Sequence, residues 1–417
     1  MLREFSEKYI QNESKIQEWV NKHMQAIQGP IYSSVDVRNA GFKIAPVDTN
    51  LFPGGFNNLC NNYQHKAGEL IHEYLKQHHP QVKNIILIPE SHTRNKYYFS
   101  NVLKIQQLLE AQDFAVRIGS LNTEISQTES TTFQTAEEED IVLYPLSRNG
   151  DDVMCLDFKG DFCLLNNDLS GGLPDVLKDL SIPLVPTPEI GWHNRTKSGH
   201  FQIYNKLIDE FAEIVGMDPW LFNTYINNID DIDFESKASM AQLAETVDEM
   251  IKKIVQKYRE HNITEKPYVY VKNNSGTYGM GVSSIYSGEE ILNSNRKTRN
   301  KMSMGKGSTK ISSVIIQEGV PTIDRFTGLS AEPVLYLANN QVAGGFFRLN
   351  TKQDAYSNLN SKGMQFTKLC FHELDGYSNS YESECSLNCL EKIYKTFAQI
   401  ASIAAGYELK HLEDQKK

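Results

Sequence analysis

The chain has 417 residues, 40% hydrophobic and 23% charged, with a formal net charge of −10 and a sequence pI near 5.6. That length exceeds the size at which one core keeps growing, so two or three lobes are expected, and the apolar fraction can build them. The acidic balance argues against a nucleic-acid-binding protein, no run reaches the length of a membrane span, and the opening residues lack an apolar signal region, so a cytoplasmic protein with a local basic pocket for a small anion is expected.

In chain order, Lys66 to Gln77 reads as an amphipathic helix, Asn84 to Ile88 as an apolar strand, Lys96 to Gln112 as a helix, and Phe114 to Ile118 as a second strand. This β-α-β rhythm predicts an α/β fold with a partly parallel sheet. Ser120 to Asp140 is Ser/Thr/Glu-rich without apolar period, and its Glu137 to Asp140 cluster reads as a solvated loop end. Strands recur at Ile141 to Tyr144 and Phe162 to Leu165. Met240, Leu243, Val247, Ile251, Ile254 and Tyr258 fall at threes and fours, so a long helix leads into the next strand. The last helix is expected over Leu387 to Tyr407. The six cysteines show no CxxC pair and no zinc spacing, and read as reduced thiols.

Tyr268 to Lys272 is a β-branched and aromatic run that ends in a lysine and breaks into Asn273-Asn274-Ser275-Gly276-Thr277-Tyr278-Gly279-Met280-Gly281. Glycines let backbone N–H groups approach anionic oxygens, and Lys272 adds a fixed positive charge, so the segment reads as a phosphate-binding flap between two strands. It is not a P-loop, because no Gly-Lys-Ser/Thr follows. The alternative is an ordinary Gly-rich hairpin with a surface lysine. Next comes a basic stretch, Asn293 to Lys310, with no acidic residue. It is either a solvated face or a lid whose Lys301 or Lys306 swings onto nucleotide phosphates and excludes water.

Val314-Ile315-Ile316-Gln317-Glu318-Gly319-Val320 then reads as a buried strand, and Glu332 to Leu337 and Val342 to Asn350 as a hairpin closed by Asn339-Asn340. This order of lysine strand, Gly loop, hinge strand and polar hairpin resembles the ATP-grasp superfamily. The resemblance implies that Gln317, Glu318, Gly319 and Val320 meet the adenine and ribose, while Arg348 and Asn350 face the triphosphate. Further polar words stand at 32–43, 46–59, 88–95, 166–172 and 191–201, among them Ile88-Pro89-Glu90-Ser91-His92-Thr93-Arg94-Asn95 and Gly191-Trp192-His193-Asn194-Arg195-Thr196-Lys197. With these, nearly the whole chain resembles the proteobacterial glutamate–cysteine ligase family of ATP-grasp type. That likeness implies an ATP-grasp domain at 191–417 preceded by an N-terminal α/β domain at 1–190.

The implied activity is ATP-dependent joining of L-glutamate to L-cysteine through an acyl phosphate. Two anions must then meet, so Mg²⁺ and donors such as Arg348 and Lys272 have to neutralise them. Mg²⁺ takes one or two carboxylates with phosphate oxygens and waters. Among Asp324, Glu332, Asp354, Asn350, Asn358 and Asn360, the choice falls on Glu332 and Asn350; the wider superfamily's late Glu-x-Asn element is not found after Phe371. For the amino acids, Arg38, Arg94 and Arg195 are the guanidiniums suited to carboxylates. Asp36, Asp48, Glu90 and Asp168 are the acids suited to ammonium groups, with Asn50 beside them. All are expected in loops at strand ends, and each has a structural salt bridge or turn cap as its alternative. His92, His193 and His200 are candidate bases or structural groups. Rival readings are another carboxylate–amine ligase, such as a glutathione synthetase or D-alanine ligase relative, and a nucleotide-binding regulator without catalysis.

Overall fold

The structure, a computed structural model, describes residues 2–91, 95–276, 281–304, 311–369, 374 and 384–415. Three sheets organise it. The first is eight-stranded: β3 (Asn84–Pro89), β4 (Ala115–Ser120), β5 (Thr131–Gln134), β6 (Asp140–Asn149), β7 (Asp152–Cys155), β8 (Phe158–Lys159), β9 (Phe162–Asn166) and β10 (Leu184–Val185), in the order β10-β9-β3-β4-β6-β7-β8 with β5 on β6. Its β10, β9, β3, β4 and β6 run parallel, as the β-α-β rhythm predicts. An unbroken aliphatic run suits a central strand covered on both faces. Ile85 and Leu87 of β3 pack under α3 (Asn61–His78) and α4 (Lys96–Glu110), while Ile86 and Ile88 enter a separate core on the other side. The stretch read as loop between Ser120 and Asp140 contains β5, a short strand with half its residues exposed.

The second sheet has six strands. Its members are β1 (Ser33–Asn39), β2 (Ile44–Asn50), β15 (Arg325–Phe326), β16 (Leu329–Ala338), β17 (Gln341–Asn350) and β18 (Met364–Lys368), in the order β18-β17-β16-β1-β2 with β15 on β16. Two strands from ahead of residue 190 thus complete a sheet whose others follow it. Alternation divides its faces. Val35, Val37, Leu335, Phe347 and Leu349 face one core with α9 (Glu384–Gln415), whose Phe397, Ala401 and Ala404 belong to the same cluster. Asp36, Arg38, Glu332 and Arg348 point the other way. Asp36, Arg38 and Asp48 therefore lie inside strands rather than in the loops expected from their polar neighbours; half of each strand is polar because half of it lines a cleft. The Asn339-Asn340 turn has φ of 50° and 60°, the positive values of a tight hairpin.

The third sheet, β11 (Ile226–Ile229), β12 (Val269–Asn273), β13 (Ser283–Ile285) and β14 (Val314–Glu318), is ordered β11-β14-β12-β13. The long helix read from Met240 to Tyr258 is α6 (Lys237–Glu260); it follows α5 (Lys197–Val215) and precedes the short α7 (Gly288–Leu292) and α8 (Arg296–Ser303). Met240, Leu243, Val247 and Ile254 of α6 share a core with Val269, Val271 and Ile316. α1 (Leu2–Gln11), α2 (Glu13–Ala26) and α5 had no counterpart in the sequence reading. Among the described residues no helix is long and apolar enough to cross a membrane.

Candidate active site

A cleft with about 850 Å³ of atom-free space, part of it open to solvent, lies where the second and third sheets meet the start of α5. That is the size range of small-molecule sites. Its floor is a ladder of charges on neighbouring strands. Arg38 Nε donates to Glu332 Oε2 at 2.7 Å, and Arg348 Nη1 donates to Glu332 Oε1 at 2.9 Å and to Asp36 Oδ2 at 2.6 Å. Strand register produces this order: Glu332 pairs with Arg348 across β16 and β17, and Asp36 pairs with Asp48 across β1 and β2. Burial pushes the Asp36 carboxyl up, and Glu332 and Asp48 add to this against the pull of Arg348. Burial acts the same way on Glu332, but Arg38 and Arg348 together hold its carboxyl below the usual range.

One wall is β12. Lys272 Nζ donates to Gln317 Oε1 at 2.6 Å and to the Val47 carbonyl at 3.1 Å. Burial lowers this ammonium to about 8, with Asp48 opposing and Lys197 and Arg38 assisting. Tyr270, Lys272 and Gln317 share the cleft face because they alternate along paired strands. The other wall holds Asp168, Trp192 and Lys197. Lys197 is the first residue of α5, reached through the Thr196 cap, and its ammonium bonds Asp48. Burial opposes the ionisation of Asp48, yet Lys197 and Lys272 hold its carboxyl at about 2. Asn274, past the end of β12, accepts from the Lys197 and Ser198 backbone N–H groups, tying the helix start to the lysine strand. Gly276 lies against Trp192: a Cβ there would fall 2.1 Å from the indole Nε1, so no side chain fits.

The family model for glutamate–cysteine ligase (GshA) matches residues 6–409. The chain belongs to this family. A solved structure from Methylobacillus flagellatus KT, whose assignment as a γ-glutamylcysteine synthetase is itself provisional, is 37% identical over 98% of this chain and 96% of that one, with a TM-score of 0.87. A D-alanyl-alanine synthetase A from Vibrio cholerae O1 biovar eltor str. N16961 is 11% identical over 76% of this chain and 81% of that one, at a TM-score of 0.36. A glutathione synthetase-like effector from Globodera pallida is 12% identical over 84% and 81%, at 0.38. No curated protein matches the chain. As a member of the glutamate–cysteine ligase family the protein is an enzyme that forms γ-glutamylcysteine, and a ligase of this kind uses ATP.

Within this family member the expected site residues divide into groups. Asp36, Arg38, Asp48, Asn50, Asp168, Lys272, Gly276, Glu332, Asn358 and Asn360 are brought to the cleft. Ser275 and Gly281 flank it, Gly281 at a φ of 68° that favours glycine. Arg94, His92, Thr277, Tyr278, Gly279, Met280 and Lys306 lie outside the described residues, and Lys301 falls in α8. Glu318 is a correction to the sequence reading as far as its side chain goes: alternation puts it opposite Gln317. Its carboxylate accepts from Lys43 at 2.6 Å and from Trp220 Nε1 at 3.0 Å, both buried, and from the half-buried Tyr225 N–H at 3.0 Å. Gly319 packs on the Tyr268 ring, and Val320 sits in a small core with Ala40 and Val47.

Arg38 and Arg195 are not open clamps. Beyond Glu332, Arg38 donates to the Tyr270 hydroxyl and to the Val320 and Ser357 carbonyls. Arg195 forks onto Glu408 and donates to the Thr49 carbonyl. Asn350 shapes the turn after β17, donating to the Leu359 and Ser361 carbonyls and accepting from the Lys352 N–H. That turn carries Asn358 and Asn360 to the cleft. Asp324 is buried and accepts from Tyr394. His200 meets Glu408, and His193 meets the Leu169 carbonyl. Lys197 was not singled out from the sequence. The signal available was Thr196 as an N-cap before the apolar period of Phe201, Tyr204, Ile208 and Phe211. Among the described residues the one grouping of three metal-ligand side chains is Asp218, Glu260 and His261. It lies away from the cleft, with the Lys257 ammonium 2.8 Å from Asp218 and 2.9 Å from Glu260.

Proposed function

We propose that this cleft, in an ATP-grasp arrangement, joins the γ-carboxylate of L-glutamate to the amine of L-cysteine through γ-glutamyl phosphate, releasing ADP and phosphate. One observation carries the reading. Of the charged donors at the cleft or just behind it, Lys272 and Lys197 keep N–H capacity and converge on Asp48, whereas the guanidiniums of Arg38 and Arg195 are engaged by protein acceptors. An ammonium has three donors; Lys197 uses one on Asp48, and Lys272 rests on two neutral oxygens. Such groups suit an incoming phosphate better than an arginine locked to a buried carboxylate. Arg348, beneath the cleft lining, also retains one buried N–H, at Nε, with no partner among the described residues, a donor that a phosphoryl oxygen would reach once the side chain shifts toward the cleft.

In this reading Lys272 and the glycine loop expected after it, with the backbone of the hinge at Gln317 to Val320, hold ATP. Lys301 and Lys306 cover the phosphates. Asp48, Asn50 and Asp168 bind amino-acid ammonium and carboxylate groups, with Arg94 as a further clamp, while Arg38 and Arg195 act by orienting the site. The polar segment of 1–190 serves mainly the amino acids, and 191–417 the nucleotide. Both oxygens of Glu332 are taken by Arg38 and Arg348, and Asp36 by Arg348, so Mg²⁺, expected from the sequence on Glu332 and Asn350, would draw chiefly on phosphate oxygens and waters; Asn350 would support it through the turn it fixes. When bound, Mg²⁺ would neutralise phosphate charge.

Two measurements test the reading. ADP release is expected with glutamate plus cysteine and not with γ-glutamylcysteine plus glycine or with D-alanine pairs. Hydroxylamine added in place of cysteine should trap a γ-glutamyl hydroxamate, and its absence would remove the acyl phosphate. Chelation of divalent cations should stop both reactions.

A further inference from the structure

Behind the Asp48 end of the cleft, outside its lining, three ionisable side chains meet with little exposure. Arg195 Nε donates to Glu408 Oε2 at 2.8 Å and Nη2 donates to Oε1 at 3.1 Å, a bidentate fork from α9 to the approach to α5. His200, on the first turn of α5, meets the same Glu408 oxygen through Nδ1. Arg195 is 5% exposed and His200 1%.

The third arm of Arg195 reaches the site. Its Nη1 donates to the Thr49 carbonyl at 2.8 Å. Thr49 stands in β2 between Asp48 and Asn50, both of which line the cleft. Since β2 is the sheet's edge, a carbonyl on its outer side has no ladder partner, and Arg195 supplies one where a further strand would. The guanidinium carbon also lies 4.8 Å over the Trp192 ring, the ring that closes on Gly276. A buried ion pair is often replaceable by apolar packing with little loss of stability. Apolar packing would not supply a fixed donor for Thr49 or a flat cation on Trp192.

We propose that Glu408, on the C-terminal helix, is a positioning residue for the amino-acid end of the cleft: it fixes Arg195, and Arg195 fixes the Thr49 backbone and the face of Trp192. The inference rests on the reading that Asp48 and Asn50 receive an amino acid.

The test is the charge-balanced pair Arg195→Met with Glu408→Leu, compared with wild type by thermal unfolding, by calorimetric titration of an ATP analogue, and by KM for glutamate and cysteine. Small misplacements of binding groups cost up to about a hundredfold; at an unfolding midpoint near that of wild type, we expect KM for at least one amino acid to rise about tenfold or more, with ATP-analogue affinity held within about twofold. A folded double variant with normal KM values overturns the role, as does a loss of nucleotide and amino-acid affinity in equal proportion. If the double variant does not fold, Glu408→Gln, which keeps one acceptor for Arg195, is read on the same ratio; a smaller shift in the same direction supports the role and an unchanged ratio overturns it. Asp48→Asn run in parallel separates the two levels. Unaltered amino-acid KM there overturns the assignment of this end of the cleft, whereas raised KM there with normal KM in the double variant overturns Glu408 alone.

Discussion

The floor and the β12 wall of the cleft treat positive charge in opposite ways. On the floor, Arg38 and Arg348 bracket Glu332, and Asp36 shares the Nη1 of Arg348 with it; the charges pair with one another inside the protein. On the wall, Lys272 is only half-buried and rests on a side-chain amide and a backbone carbonyl. Burial raises the stakes in both places, because an unpaired charge in a poorly solvated site is costly. The floor resolves that cost within the fold. The wall leaves part of it unresolved, as a lowered lysine, and an anionic ligand resolves it on binding.

The sharpest way to break the contrast is at Glu332. Glu332→Gln leaves two buried guanidiniums without their shared carboxylate, and removing one partner of a buried pair costs about 3–5 kcal/mol. Chemical denaturation should show a loss of that order; a variant of wild-type stability would mean that the ladder does not hold the floor together. Arg348 comes next, since it belongs to the ladder yet its Nε has no partner among the described residues. Arg348→Ala is expected to lower kcat at least about a hundredfold, and Arg348→Lys to rescue it poorly because the planar fork is lost. A lysine variant with near-normal kcat would show that charge alone suffices.

At the wall the prediction inverts. Lys272→Met should weaken an ATP analogue by about 1.5–3 kcal/mol, the range for hydrogen bonds to a charged group, while the unfolding midpoint holds or rises because a strained ammonium is gone. Unchanged nucleotide affinity would sink the phosphate role. The smallest effect is on pH dependence. Burial brings Lys272 down from its ordinary 10.5 to about 8, so at pH 7 it is charged and above pH 8 it becomes neutral in the free enzyme. Phosphate binding requires the proton back, so ATP-analogue affinity should fall above pH 8 by at most about tenfold per pH unit, or about 1.4 kcal/mol. That slope should vanish in Lys272→Met. Stability has the opposite sign: the unfolded chain holds the extra proton between about 8 and 10.5, so this group's penalty on the fold is relieved as pH rises through that window.

The sequence by itself determined what depends on local periodicity and composition. Aliphatic strands such as β3, the 3.6-residue period of α6 and the Asn339-Asn340 hairpin are short-range consequences of side-chain spacing, and the structure holds them where the residues predicted. The lysine strand was legible for the same reason, while most of the glycine loop expected after it lies outside the described residues. Only the tertiary structure decided which charges remain available. Arg38, Arg195 and Lys197 look alike in sequence, each among polar neighbours, yet Glu332 and Glu408, 294 and 213 residues away, engage the first two and leave Lys197 facing Asp48. It also decided that β1 and β2 lie beside β16, which turned apparent loop residues into alternating strand residues on the cleft floor. Strand pairing across such separations depends on which long-range partner satisfies the edge and its buried charges, and no window of the chain contains both partners.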